Sequence, residues 1–266
     1  MKIGFIGAGN MGGAIIKGYL AANKGRGEDI LVYDMDQARM DELAAGTGAR
    51  AADGIGALAR QADVLVLAVK PKGFDRVLAE LRSLYRPEQI VVSVAAGISI
   101  AFIASYLGER AKIVRTMPNT PALTGAGMTA LSRNAAVNDE EFAGILEIFR
   151  SVGKAEAVDE RLMDTVVGLS GSSPAYAYMF IEALTECAVQ NGMDGELAKV
   201  FAAQSLLGAA KMVLETGLDP VALRKNVCSP GGTTVEAVDV LERNGFRENI
   251  AEGMNAAVAK SARMTR

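Results

Sequence analysis

The 266-residue chain contains no histidine and no tryptophan. The absence of histidine excludes a Ser-His-Asp or Cys-His nucleophilic system and any metal site with histidine ligands. Two cysteines, Cys187 and Cys228, are too few for a disulfide framework and lack metal-binding spacing, so we expect no metal and a reducing, cytoplasmic location. Proton transfer must use a hydroxyl, a carboxylate, a lysine, water or the substrate itself. Hydride transfer to an already polarised acceptor suits these limits.

A strong charge of either sign is also lacking. The net charge of −3 and the pI near 5.3 provide no basic face for nucleic acid or an anionic membrane. Residues 89–108 carry no formal charge, and a run of this length is a candidate membrane span. It divides, however, into a β-branched strand, a small-residue turn and a helix capped by Ser99. We therefore expect a soluble protein with neither nucleic-acid nor membrane partners.

A glycine-rich turn near the N-terminus lies between a predicted strand at 2–6 and a helical pattern that is clear from Ala14 onward. Its sequence, Gly-Ala-Gly-Asn-Met-Gly, matches the dinucleotide-binding fingerprint. In that fingerprint the first glycine permits a tight turn, the second lets a pyrophosphate approach the backbone, and the third lets the helix lie close to the strand. A second predicted strand, 30–33, ends at a carboxylate placed to read a ribose. The predicted cofactor contacts are Ile6, Gly7, Ala8, Gly9, Asn10, Met11, Gly12 and Asp34.

Two continuous apolar runs, 63–69 and 90–94, are typical of strands buried on both faces of a parallel sheet. Ligands of open parallel sheets collect beyond the carboxyl ends of the strands. We therefore expect further cofactor contacts from the residues at these ends: Ala68, Val69, Lys70, Pro71, Val94, Ala95 and Ala96. A solvated surface lysine would explain position 70 equally well.

A second informative segment, Pro-Gly-Gly-Thr-Thr at 230–234, precedes apolar residues at helical spacing. Proline and two glycines cannot continue a helix, and the glycines allow a tight turn close to a ligand. The helix start would offer unpaired N–H groups and two hydroxyls, a site suited to a compact carboxylate. A threonine N-cap after a glycine-rich turn would explain the same residues without a ligand.

Strand and helix patterns alternate up to Val158, and beyond Asp159 only helical patterns remain. We therefore predict an α/β Rossmann dinucleotide-binding domain over 1–158 and an all-α domain over 159–266. Two helices predicted at 174–191 and 196–215 are apolar around most of their circumference. Such helices are normally buried, either in a tight helical core or in a subunit interface. We favour an interface, which makes the second domain a dimerisation domain.

The residues quoted so far resemble the pyrroline-5-carboxylate reductase family along nearly the whole chain. The most specific match is 220–242, and other matching segments are 4–11, 67–71, 93–97, 117–121 and 168–176. The resemblance implies NADPH- or NADH-dependent hydride transfer to C5 of 1-pyrroline-5-carboxylate, which gives L-proline in the last step of its biosynthesis. It also implies homodimers that can assemble into decamers, with an active site completed across the dimer.

The resemblance further implies roles for individual residues. The turn that holds the substrate carboxylate corresponds to Gly231, Gly232, Thr233 and Thr234, and the hydroxyl of Thr234 corresponds to the catalytic group that reaches the ring nitrogen. Three more positions that approach the cofactor correspond to Asn119, Glu160 and Asn226. The sequence departs from the family pattern at Ile55, where an Asn near the adenosine is common, at Ser173, a common Gly, and at Gly217, where some relatives have an acidic residue.

Asp34 favours NADH over NADPH, because a 2′-phosphate would bring negative charge against it and Asp36 adds repulsion. Two other functions remain open at this point. A β-hydroxyacid dehydrogenase would share the N-terminal fingerprint, but that family needs a catalytic lysine, and no lysine lies between Arg161 and Lys199. A dinucleotide-binding sensor without catalysis is the second alternative.

Overall fold

The computed structural model describes all 266 residues, which form two compact units. The first unit comprises residues 1–172 and 257–266, and the second comprises residues 173–256. The boundary predicted from the sequence, 158/159, coincides with the end of the last strand, whereas residue contacts place 159–172 with the first unit.

One eight-stranded sheet forms the centre of the first unit. Its strands are β1 (Ile3–Ile6), β2 (Ile30–Tyr33), β3 (Arg50–Ala51), β4 (Val64–Leu67), β5 (Ile90–Ser93), β6 (Lys112–Met117), β7 (Gly127–Arg133) and β8 (Gly153–Ala157). Their spatial order is β3-β2-β1-β4-β5-β6-β7-β8, and Phe5 of β1 lies between Val32 and Val66 of its neighbours. The order reverses between β1 and β4, which is where open α/β sheets bind ligands.

Helices cover both faces of this sheet, as the continuous apolar strands require. They are α1 (Asn10–Ala21), α2 (Gln37–Thr47), α3 (Ile55–Ala59), α4 (Phe74–Leu81), α5 (Ile100–Leu107), α6 (Asp139–Arg150) and the single turn α7 (Met163–Val166). Side chains of α1, α2 and α6 pack around Phe5 and Val66, and those of α3, α4 and α5 pack around Leu65 and Leu67 on the other face. The predicted Rossmann architecture is confirmed.

The regular strand–helix alternation fails between β6 and β7. Residues 118–126 connect these strands and include only a 3₁₀ turn, Thr120–Thr124. Because a parallel pairing needs a crossover of about a dozen or more residues, β7 turns back antiparallel to β6, with Leu131 opposite Thr116. Strand β8 pairs parallel with β7, so both run against the rest of the sheet.

The second unit contains helices only, as predicted. They are α8 (Ser173–Gln190), α9 (Gly195–Thr216), α10 (Pro220–Val227), α11 (Thr233–Arg243) and α12 (Phe246–Met264), whose last turns belong to the first unit. Helix α10 was not predicted, although Asp219 and Pro220 form a typical helix start, and the Asp219 carboxylate accepts from Val221 N–H at 2.8 Å. The helical pattern that begins after Asp159 first forms a 3₁₀ turn at Glu160–Leu162, then α7, then a π turn at Val167–Gly171.

The apolar side chains of α8 and α9 lie largely on the surface of the single chain. Large exposed ones are Tyr178, Met179, Phe180, Leu184, Leu197, Val200, Phe201, Leu207, Met212 and Leu214. On α9 only Ala198 and Ala202 are buried, so a tight helical core within one chain is wrong. By length and composition alone α9 could also cross a membrane.

Gln89 offers a test of the packing between β5 and the segment after α3. Its side chain is fully buried, and its Nε2 donates to the carbonyls of Ala59 and Ala62, both at 2.7 Å, while its Oε1 accepts from Arg86 N–H at 2.8 Å. We expect Gln89→Leu to lower the free energy of unfolding by about 1–3 kcal/mol, because the half-buried N–H of Arg86 loses its acceptor and the carbonyls of Ala59 and Ala62 each lose a donor. Thermal denaturation followed by circular dichroism measures this.

Gln61→Leu is the matched control, since Gln61 is exposed and donates one hydrogen bond to Ala57 O at 3.1 Å. We expect this variant to stay within about 0.5 kcal/mol of the wild type. Equal midpoints for the two variants would contradict the role assigned to Gln89.

Candidate active site

Three glycines shape the turn between β1 and α1, each in a different way. Gly7 has a φ of +114°, and a Cβ there would lie 2.6 Å from Ala68 O. A Cβ on Gly12 would lie 2.4 Å from Gly7 O, so no side chain fits between the helix and the turn. By contrast, no atom lies within 4 Å of the Cβ position of Gly9. The backbone is therefore closely packed at Gly7 and Gly12 and open at Gly9, which fits the approach of a pyrophosphate.

The N-terminus of α1 follows this open position directly. Gly9 is its N-cap residue, no side chain caps the helix, and its first turn contains no acidic residue. The N–H groups of Asn10, Met11 and Gly12 therefore have no side-chain partner, and the helix dipole adds positive potential. A dinucleotide pyrophosphate fits these donors.

Asp34 lies at the end of β2 and is bound to the glycine turn. Its Oδ2 accepts from Ala8 N–H at 2.7 Å, and its Oδ1 accepts from Asp36 N–H at 2.9 Å. It borders a small cavity of about 70 Å³, which we call the adenosine cavity because Asp34, the carboxylate predicted to read a ribose, lines it. Its other lining residues are Ile6, Gly7, Tyr33, Met35, Ile55, Val69, Arg76 and Val77. Ile55 is buried, so the departure from the family pattern places an apolar wall here.

The loops after β4 and β5 also lie beside the switch point. Ala68 and Val69 are half-buried, Lys70 is exposed, and Pro71 begins a 3₁₀ turn, Pro71–Gly73. In the loop after β5, Ala95 is buried, and Val94 and Ala96 are half-buried. The exposure of Lys70 agrees both with a cofactor contact and with a solvated surface lysine.

Arg266 connects the loop after β4 to the loop after β5. The sequence did not predict this connection. Its backbone N–H donates to Gly97 O at 2.9 Å, and its guanidinium donates to Pro71 O at 3.1 Å and to Asp75 Oδ2 at 2.9 Å. Hydrogen bonds from Arg266 and from the Tyr106 hydroxyl hold the pKa of Asp75 below its usual range. No local pattern signals this role, because 169 positions separate Arg266 from Gly97 in the chain (266 − 97).

Two residues predicted to approach the cofactor also hold the protein together. The Asn119 amide donates to Ser170 O at 3.0 Å, and its Oδ1 accepts from Met128 N–H at 2.8 Å. Glu160 accepts from Ile100 N–H at 2.8 Å and pairs with the buried Arg115 at 3.1 Å.

These contacts account for both side chains through the fold alone. Removing Glu160 would leave the Arg115 charge buried without a partner. Contact of Asn119 or Glu160 with the cofactor therefore stays a prediction.

The predicted substrate turn is the exposed start of α11 in the second unit. Gly231 has a φ of +72°, and Gly232 is the N-cap residue, with no side chain capping the helix. The explanation by a threonine N-cap is therefore wrong. The hydroxyl-bearing Thr233 and Thr234 are exposed, and the first N–H groups of α11 have no side-chain partner. Asn226 is exposed near the end of α10.

Comparisons with known proteins agree with an N-terminal dinucleotide-binding domain followed by a helical domain. A family model described as "Pyrroline-5-carboxylate reductase dimerisation" matches residues 160–264, and one described as "NADP oxidoreductase coenzyme F420-dependent" matches residues 2–97. The pyrroline-5-carboxylate reductase of Escherichia coli strain K12 is 47% identical over 265 residues, which cover 100% of this chain and 98% of that protein.

Two solved structures show the same fold throughout. A pyrroline-5-carboxylate reductase from Coxiella burnetii is 36% identical, with a TM-score of 0.94, and the match covers 100% of this chain and 98% of that one. The Plasmodium falciparum pyrroline carboxylate reductase with NADP bound is 33% identical, with a TM-score of 0.90 and the same coverage. From the full-length identity and the shared fold, the chain belongs to the pyrroline-5-carboxylate reductase family.

Proposed function

We propose that this protein reduces 1-pyrroline-5-carboxylate to L-proline, the last step of proline biosynthesis, with NADH or NADPH as the reductant. The observation that carries the proposal is the intact turn Gly231–Thr234 in a chain that belongs to this family over its whole length. A β-hydroxyacid dehydrogenase would need a lysine on the helix after the Gly-Ser segment, and α8 has none. The intact turn also disfavours a sensor that performs no chemistry.

The start of α11 is suited to the substrate carboxylate. Its free N–H groups and the helix dipole attract an anion. The charged side chain in its first turn is Glu236 rather than a cation. A ligand with a single negative charge therefore fits this site better than a polyphosphate, which would recruit Lys or Arg.

The reaction requires little proton transfer by side chains of the protein. When bound, the reduced nicotinamide supplies a hydride to C5 of the imine, and the ring nitrogen ends with one more proton. The Thr234 hydroxyl donates a hydrogen bond to the lone pair of the neutral imine nitrogen, where the new proton is added. A substrate that arrives as an iminium ion already carries that proton, and its N–H donates to the Thr234 hydroxyl oxygen instead. Most of the rate enhancement then comes from holding the two reactants in the reactive orientation.

We propose further that the chain forms homodimers through α8 and α9, and that dimers can assemble into decamers. The matched dimerisation model supports self-association, and the exposed apolar side chains of α8 and α9 need a cover. An apolar cavity of about 600 Å³ within the second unit could receive side chains of a partner copy; it is lined by Tyr176, Ala177, Met179, Phe180, Leu206, Phe246, Asn249, Ile250 and Gly253. In this proposal the apolar surface of α9 faces protein rather than lipid.

The matched ranges support a functional division into 1–158 and 159–266. A cytoplasmic location is part of the same proposal, and the two free cysteines, Cys187 and Cys228, suit a reducing compartment.

The function is tested by oxidation of NADH and of NADPH by the purified protein, with and without 1-pyrroline-5-carboxylate. We expect oxidation that depends on the imine and L-proline as the product. A parallel assay with NAD⁺ or NADP⁺ and a β-hydroxy acid tests the dehydrogenase alternative. The proposal fails if neither reduced cofactor is consumed when the imine is added.

Thr234→Ala is expected to lower kcat by up to about 10²-fold and to leave cofactor affinity unchanged, because a positioned proton donor contributes on the order of 10²–10⁴-fold and an iminium substrate needs less help. Steady-state kinetics and NADH fluorescence titration measure the two quantities. Thr234→Ser keeps the hydroxyl and should recover most of the activity. Unchanged turnover in a folded Thr234→Ala protein would remove Thr234 from the mechanism.

Leu207→Arg tests the interface. Leu207 is 51% exposed in the single chain, so an arginine can be accommodated in a monomer. Burying the unpaired charge in a dimer seam would cost several kcal/mol, on the order of 3–5. We expect monomers without activity by sedimentation or light scattering. Gln190→Arg, at the exposed last residue of α8, is the control and should remain an active dimer. An active Leu207→Arg dimer would exclude Leu207 from the interface.

Asp34→Ser is expected to shift the ratio of kcat/KM values toward NADPH, because it removes a negative charge from the adenosine cavity. The variant also loses the hydrogen bond from Ala8 N–H, and this loss should weaken the binding of NADH and of NADPH equally. The ratio, rather than either value, is therefore the readout. If the wild type prefers NADPH and the ratio does not change, Asp34 does not read the ribose.

A further inference from the structure

The adenosine cavity has one cationic side chain in its wall. Arg76, on α4, lines it together with Asp34, and its Nη2 lies 2.6 Å from Met35 Sδ. Arg76 belongs to none of the ion pairs of the protein, although α4 carries two carboxylates, Asp75 and Glu80. The thioether of Met35 is its only polar contact, and a thioether is a weak acceptor. The guanidinium is therefore available to a ligand.

The other charged groups nearby are either engaged by the protein or lie outside the cavity. Asp34 holds one backbone N–H on each carboxylate oxygen, which fixes it to the main chain. Arg39, the cation nearest to Asp34 in the sequence of α2, pairs with Asp36 at 3.7 Å and lines a different cavity. Lys70 is exposed and does not line the adenosine cavity.

The cavity is too small for a nucleoside as it stands. Its volume of about 70 Å³ equals roughly two water molecules in the liquid. The side chains of Met35 and Arg76 cover one side of it, and both are long and exposed. Adenosine would fit only if these side chains moved apart, which would separate Arg76 from Met35 and leave its guanidinium beside the ribose.

We propose that Arg76 binds the 2′-phosphate of NADPH, which lets the chain accept this cofactor despite Asp34 and Asp36. The inference rests on the proposed function, since it assigns a cofactor contact. A guanidinium forms two parallel hydrogen bonds to a phosphate, and this geometry is its strongest mode of recognition. Arg76 thus opposes Asp34, and the balance of the two side chains sets the cofactor ratio.

Direct binding tests this without catalysis. Calorimetry measures the Kd of adenosine 2′,5′-bisphosphate and of 5′-AMP for the wild type, Arg76→Gln and Arg76→Lys. We expect Arg76→Gln to raise the Kd of the bisphosphate by about tenfold or more and the Kd of 5′-AMP by less than about twofold. Arg76→Lys should fall in between, because it keeps the charge and loses the paired geometry. The control is Arg82→Gln, an exposed and unpaired arginine directly after α4, which should change neither value.

Equal weakening of both ligands would overturn the proposal, because it would mean that Arg76 contacts the adenine or the shared phosphate instead. Bisphosphate binding that is equally weak in the wild type and in Arg76→Gln would overturn it as well. Failure of the proposed function appears separately, as the absence of imine-dependent cofactor oxidation by the wild type.

Discussion

The direct packing of backbone on backbone at the start of α1 fixes where the open N-terminus of this helix lies on the sheet. Gly12 lies against Gly7 O, and Gly7 lies against Ala68 O, with no room for a side chain at either contact. These contacts hold the open end of α1 at the reversal of strand order between β1 and β4. The turn is also tied to β2 through Tyr33 O and Asp34. Three neighbouring strands thus hold the helix start that is proposed to bind the cofactor pyrophosphate.

The second constraint is an apolar surface that one chain cannot bury. Burying apolar surface contributes about 25 cal/mol per Å², so exposed side chains as large as Phe180, Phe201 and Leu214 leave a substantial driving force unused. The same helical unit carries the turn at Gly231–Thr234. Assembly and the proposed substrate site therefore belong to one unit, and the loss of one is expected to affect the other.

The far end of the chain contributes to the first unit. Hydroxyls of Ser261 and Thr265 donate to Asp164 at 2.6 and 3.1 Å, and Arg266 connects the loops that follow β4 and β5. Each bond is modest by itself. Together they fasten two loops beside the switch point to the last turn of α12 and the residues that follow it.

Local patterns predicted a large part of this protein. The glycine turn, the buried strands, the long helices α8 and α9 and the start of α11 were all readable, because each depends on neighbouring residues and on a fixed period. The reversal of β7 was not predicted, although the loop before it is too short for a crossover. Helix α10 was missed even though Asp219 and Pro220 signal its start.

The sequence by itself determined the fold class, the two uncapped helix starts after glycine turns and the family. Only the tertiary structure decided which charged side chains lie together. Arg76 and Asp34 line one cavity, Glu160 pairs with Arg115, and Arg266 connects two loops. It alone showed that the Asn119 amide is engaged by the protein and that the apolar faces of α8 and α9 remain uncovered. The physical reason is that these contacts join residues on different elements, and no local period or spacing encodes where two distant elements bring their side chains together.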